Sequence, residues 1–215
     1  MWPEPVRAEL NNGWTAFDRD GDVGRLLVER TVLNDMHRQH LIDDAVTWLD
    51  ALVPAEDDVV DRWGSLGPLE AADRMQAAYE YLVQAVFAYN HKWRPWRTRE
   101  MVPLLRLAWV PADFHNRMIT AAVSSGHDRT AYVARVDALR QVTADLMERL
   151  LADGFYKTDP VSEAFLRSHD EPGRAWNIDA WNAEHLQRGA ARPSLNMDLS
   201  QERPAPGAEP QPPSF

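Results

Sequence analysis

The chain has 215 residues, 45% of them hydrophobic, with 33 acidic against 23 basic side chains and a formal charge of -10 at pH 7. That length fits one domain with room for a small appendage, and the apolar fraction is enough for a core. The acid excess disfavours nucleic acid as a partner, because phosphate backbones need a basic face. The lack of cysteine rules out disulfides and thiolate metal sites and suits a cytoplasmic setting.

Residues 1–21, with two prolines, an "NNG" breaker and a "DRDG" turn, read as a short extended segment with a strand near Trp14–Phe17. The start "MWPEPVRAEL" has neither a basic nor an apolar stretch, so no signal peptide is expected. From Asp22, placed as an N-cap, "DVGRLLVERTVL" and "NDMHRQHLIDDAVTWLDALV" take up helical spacing, with Met36, Leu41, Val46, Leu49 and Val53 on one face. "AEDDVVDRWGSLG" reads as a loop holding a helical turn.

The clearest helix starts at Pro68, where a first-turn proline belongs, and carries Leu69, Ala72, Met75, Tyr79, Leu82, Val86 and Tyr89 at spacings of three and four. Pro95 ends it. A short helix broken by Pro103 and another opened by Pro111 follow. Then "DRTAYVARVDALRQVTADLMERLLADG" runs from an Asp128 cap to Gly154, a residue suited to a left-handed C-cap. "PVSEAFLRSH" and "RAWNIDAWNAEHLQR" are shorter candidates, and the proline-rich residues 189–215 read as a disordered tail.

These elements predict an all-α fold, an antiparallel helical bundle of about five to seven helices over residues 22–188. No apolar run reaches the ~18–20 residues of a membrane span, so no membrane partner is expected.

Few motifs carry chemistry. "DRDGDVGRLLVE" places Asp18, Asp20, Asp22 and Glu29 at calcium-loop positions, but Val23 stands where that loop needs glycine, so a capping turn is the better reading. His37 and His40 share a helix at i, i+3, but no second histidine pair at helical spacing completes a ligand set, Asp43 and Asp44 are unspecific candidates, and no metal site is assigned. Arg30 and His37 match the loose arginine-then-histidine spacing of helical-bundle ribonucleases. No catalytic residue stands out.

The exception is "YNHKWRPWRTRE", residues 89–100, with four obligate cations, a histidine and two tryptophans in twelve residues. One or two cations complement a helix C-terminus. Arginine and tryptophan together also suit stacking and bidentate hydrogen bonding to a planar or phosphorylated ligand. Asn90, Lys92, Trp93, Arg94, Trp96 and Arg97 are therefore the candidate substrate- or phosphate-binding residues.

A turn like "WTAFDRDGDVGRLL", helices, and a long helix ending in "FAYNHKWRPWRTRE" resemble the C-terminal, substrate-binding half of kanamycin-type and related minor nucleotidyltransferases. The resemblance covers roughly residues 2–152. It implies a helical domain for a small-molecule or nucleotide ligand, with a separate catalytic chain as partner. The alternative reading is a non-enzymatic helical ligand-binding or interaction protein that self-associates, as a homodimer, through a bundle face. The family's catalytic half carries a Gly-Ser turn followed by Asp-x-Asp, whose carboxylates hold magnesium. Here Gly64-Ser65 is followed by "LGPLEAADRMQAAY", with no such pair. Magnesium-nucleotide is thus implied only where a catalytic half is supplied, and the chain alone is not expected to transfer nucleotides.

Overall fold

The computed structural model describes residues 2–54, 58–123, 126 and 128–169. Nine α-helices and one 3-10 turn cover most of them: α1 Glu4–Asn12, α2 Asp22–Thr31, α3 Asp35–Leu52, α4 Asp58–Leu66, α5 Pro68–Tyr89, a 3-10 turn Arg97–Arg99, α6 Met101–Leu104, α7 Phe114–Ala122, α8 Arg129–Ala152 and α9 Pro160–His169. The fold is an all-α bundle, and no strand occurs among the described residues. None of the described helices is long and apolar enough to cross a membrane.

The bundle is organised by α5. Its last two turns bury Leu82, Val83, Ala85, Val86, Phe87 and Ala88, nearly the whole circumference, as a helix surrounded by neighbours must. The N-terminal end is one-sided: Met75 is buried while Leu69 is 85% exposed, so Leu69 and Ala72 leave the predicted apolar face.

The largest helix interface is that of α3 with α5. Arg38, early in α3, donates to the carbonyls of Ala88 and Tyr89 at the end of α5, and Arg74, early in α5, donates to the Ala51 carbonyl at the end of α3. The two helices therefore run antiparallel. α7 and α8 do too, since Arg117 pairs with Asp145 while Arg135 reaches the Ala121 carbonyl. α5 and α8 run the same way: the Tyr89 hydroxyl bonds Asp153 and Arg149 at the end of α8. The connection through α6 and α7 makes that possible.

α9 is locked to α3 by Arg167, whose guanidinium spans both oxygens of Asp43 at 2.9 and 2.7 Å, while the Tyr156 hydroxyl donates to Asp43 Oδ1 at 2.8 Å. Burial, then the Asp43 charge, push the Tyr156 hydroxyl far above its usual pKa, so it stays a donor.

Several expectations need correction. Residues 4–12 form a helix rather than an extended segment: Pro5 lies in its first turn, where a missing N–H costs nothing, and Ala8 is buried beneath it. The strand at Trp14–Phe17 does not form, and both aromatics are exposed. Asp18, not Asp22, caps α2, accepting from the amides of Val23 and Gly24. A break at Val32–Asn34 separates α2 from α3, with the Asn34 side chain starting the new helix. Residues 58–66 are a helix, not a turn. The predicted helix after residue 169 and the tail 189–215 lie outside the described residues.

Candidate functional site

The basic segment begins at a helix end of regular geometry. α5 closes with His91 in the left-handed region, φ 55°, while the amides of His91 and Lys92 donate to Ala88 and Phe87. These two bonds are a Schellman motif. Asn90 is consumed by the same junction. Its amide nitrogen donates to the carbonyls of Val86 and Trp109, both at 2.8 Å, and its oxygen accepts from the Trp109 amide at 2.9 Å. It clamps the 107–110 segment onto the end of α5.

Trp93 is 5% exposed and points inward, its indole N–H donating to the Thr31 carbonyl at 2.6 Å. No face is left for a ligand ring at the surface. Arg94 is also internal: Nε donates to Glu100 at 2.7 Å, Nη1 to the Glu80 carbonyl at 3.1 Å, and Nη2 pairs with the Glu80 carboxylate. Arg97 pairs with Glu80 at 3.0 Å and Arg99 with Glu9 at 3.3 Å. Three of the four clustered cations thus meet carboxylates of α1, α5 and Glu100. Of the six predicted binding residues, Asn90, Trp93 and Arg94 hold the fold together, while Lys92, Trp96 and Arg97 face solvent. The cations at the C-terminus of α5 complement it less than Arg38 of α3, which bonds its last carbonyls directly.

Behind Trp93 lies a cavity of about 550 Å³ between the N-terminus, α1, α2 and the start of α3. Arg7, Arg30 and His37 bring cationic or titratable groups to it, Glu29 the one carboxylate among the described residues that line it, and Trp2, Leu26 and Val32 apolar surface. Arg7 is only 7% exposed. Its Nε donates to the Trp2 carbonyl at 3.0 Å and its guanidinium carbon lies 4.6 Å from the centre of the Trp93 ring. Among the described residues neither terminal nitrogen has a hydrogen-bond acceptor and no carboxylate pairs with it. Glu4, one turn earlier, does not line the cavity, and burial raises its carboxyl pKa against the opposing pull of Arg94 and Arg7.

His37 is oriented by Asn34. The Asn34 oxygen accepts from the His37 backbone N–H at 2.9 Å and lies 2.8 Å from Nδ1, so Nδ1 carries the proton and Nε2 the lone pair. The ring meets Trp93 edge-on at 6.0 Å. Burial, and then the charges of Arg7 and His40, lower its pKa, which leaves it neutral at pH 7. Arg30 and Glu29 form an exposed pair at 3.6 Å that contributes little.

The remaining motifs settle simply. Gly21, at φ 73°, makes the turn of "DRDG", and Asp18 spends both oxygens capping α2. Among the described residues no group of three or more His, Asp or Glu side chains is arranged to hold a metal, so His37 and His40 form no such site. Arg30 and His37 lie on different helices yet line the same cavity. Sequence reasoning missed Arg7 and Trp2, because two prolines masked the helix that carries Arg7; its available signal was Glu4-Pro5 as a helix start.

Fold and site define a helical bundle with a cationic, indole-lined cavity. No protein-family model matches the chain, and comparisons with curated proteins and with solved structures return no match.

Proposed function

We propose that this chain is a helical ligand-binding domain for small anionic molecules, of the kind that serves as the substrate-binding half of a nucleotidyltransferase. Its site is the cavity between α1, α2 and α3 rather than the basic segment. The observation that carries this reading is Arg7, a buried guanidinium that faces the cavity without an anionic partner. Its terminal nitrogens, unpartnered among the described residues, are not sealed from solvent, so an anion entering the cavity gains a charge-assisted pair with them. Catalytic carboxylates and magnesium belong, in this reading, to a separate polypeptide, and nucleotide transfer by the chain alone is expected to be nil. The cytoplasmic setting is part of the same proposal.

The test is a titration followed by tryptophan fluorescence, using a panel of magnesium-ATP, inorganic phosphate and a small carboxylate. Saturable quenching by a panel member, lost in Arg30→Ala and kept in Arg97→Ala, supports the cavity. The reverse pattern returns the site to the basic segment. Silence across the panel leaves a non-enzymatic, self-associating interaction protein as the better account. A second reading, a bundle-type ribonuclease, draws on Arg30 and His37 sharing the cavity. Cleavage of single-stranded RNA that disappears in His37→Ala supports it, and intact RNA ends it.

A further inference from the structure

We propose that the cavity selects a monoanion carried on an apolar or aromatic body, a hydrophobic carboxylate, in preference to phosphate or polyphosphate; this rests on the ligand-binding reading above. The argument is first one of charge. Arg7 and Arg30 bring two positive charges to the cavity and Glu29 one negative charge, while His37 is neutral at pH 7. One ligand charge closes that balance among the lining side chains, and Glu4, outside the lining but within reach of the Arg7 charge, disfavours any further negative charge. A phosphate dianion leaves an unmatched negative charge beside Glu29 in a partly desolvated site, and a polyphosphate leaves more.

The second argument is shape. The Arg7 guanidinium is held by the Trp2 carbonyl and lies over the Trp93 ring, 4.6 Å from its centre, so its fork is restrained before a ligand arrives. Such a fork takes the two oxygens of a carboxylate, as it does those of a phosphate, so it accounts for anion binding with little conformational entropy left to lose, and the choice between the two rests on charge and apolar lining. The third argument is the apolar lining. Trp2, Leu26 and Val32 present apolar surface to the cavity, and its volume of about 550 Å³ lies in the range that encloses small organic ligands. Bare phosphate uses none of that surface.

The experiment is isothermal titration of the full chain at pH 7.5 with three probes: 3-phenylpropionate, its uncharged analogue 3-phenylpropanol, and inorganic phosphate. The expected result is saturable binding of phenylpropionate, with the alcohol weaker by at least about tenfold through loss of the charge-assisted bidentate contact, and phosphate weaker by at least about tenfold through its extra charge and unused apolar surface. Arg7→Gln is expected to abolish the preference for the acid over the alcohol. Because Arg7 is buried and that variant can misfold, the exposed Arg30→Gln is measured beside it and is expected to weaken the acid alone. Phosphate binding as well as or better than phenylpropionate overturns the inference while leaving the ligand-binding reading intact. Equal binding of acid and alcohol also overturns it, since the charge is then not recognised. No binding by any probe, together with no response to magnesium-ATP, sinks both.

Discussion

His91 and Gly154 occupy the same place in two copies of one helix-ending motif. At the end of α8, Gly154 at φ 73° is followed by Phe155, whose amide reaches Leu150, as Lys92 reaches Phe87 after His91. Glycine takes this conformation freely, whereas a side chain there costs about 1–2 kcal/mol. His91→Gly is therefore expected to raise stability by about 1 kcal/mol, read as a higher urea midpoint at unchanged slope. A decrease shows that the imidazole makes a contact worth more than the strain. Asp43 is the opposite case, a residue whose removal leaves others stranded. It is buried and accepts from both Arg167 and Tyr156. Asp43→Ala strands a buried hydroxyl and a guanidinium that is one-third exposed, so a loss of about 2–3 kcal/mol is expected rather than the full cost of an enclosed pair. Chemical denaturation measures it, and a loss under about 0.5 kcal/mol contradicts the account.

Among the elements, α2 stands apart. Its ten residues bury only Thr31, while Val23, Leu26 and Val28 stay exposed and the cavity lies under one face. A helix that short is marginal in water without packing. It is held by the Asp18 cap at one end and by the Trp93 bond to the Thr31 carbonyl at the other. Amide hydrogens of α2 are expected to exchange faster than those of α3 or α5 in the free protein, and to slow when a ligand fills the cavity. Equal protection of α2 and α5 without ligand contradicts this. The contrast with α5 is physical: buried on almost every side at its C-terminal end, that helix opens only when the bundle does.

For the whole molecule, pH couples stability to the cavity. The folded pKa of His37 lies below its ordinary value, chiefly through burial, so between the two values the unfolded chain binds more protons than the folded one. Stability is then constant above about pH 6.5 on this account and falls as pH drops through that value toward the folded pKa. The groups around the ring are Arg7, His40, Asn34 and Trp93. His91, also lowered by burial and by Arg38, adds to the same slope. His37→Gln is thus expected to reduce, without removing, the drop in urea midpoint between pH 7.5 and 5.5; an unchanged drop excludes His37 as a source. Protonating His37 adds positive charge to the cavity, so anion affinity is expected to rise only as pH falls through the lowered folded pKa, at lower pH than the onset of the stability loss.

The all-α class, the long helices after Pro68 and Asp128, and the stop at Gly154 were legible in the sequence. Each is a local property: apolar spacing, a first-turn proline, a capping carboxylate, a glycine free to adopt positive φ. The helix at residues 4–12 was hidden because proline signals both a break and a first turn, and only burial of Ala8 decides between them. The left-handed turn at His91 carries no glycine, so nothing local announces it. Above all, the clustered cations of residues 89–100 looked available because their partners, Glu9, Glu80 and Glu100, lie on other elements. Composition and periodicity determined which segments became helices. Tertiary structure decided which charges were neutralised and left Arg7 facing a cavity without a carboxylate pair among the described residues, because pairing depends on which elements the fold brings within a few ångströms of each other.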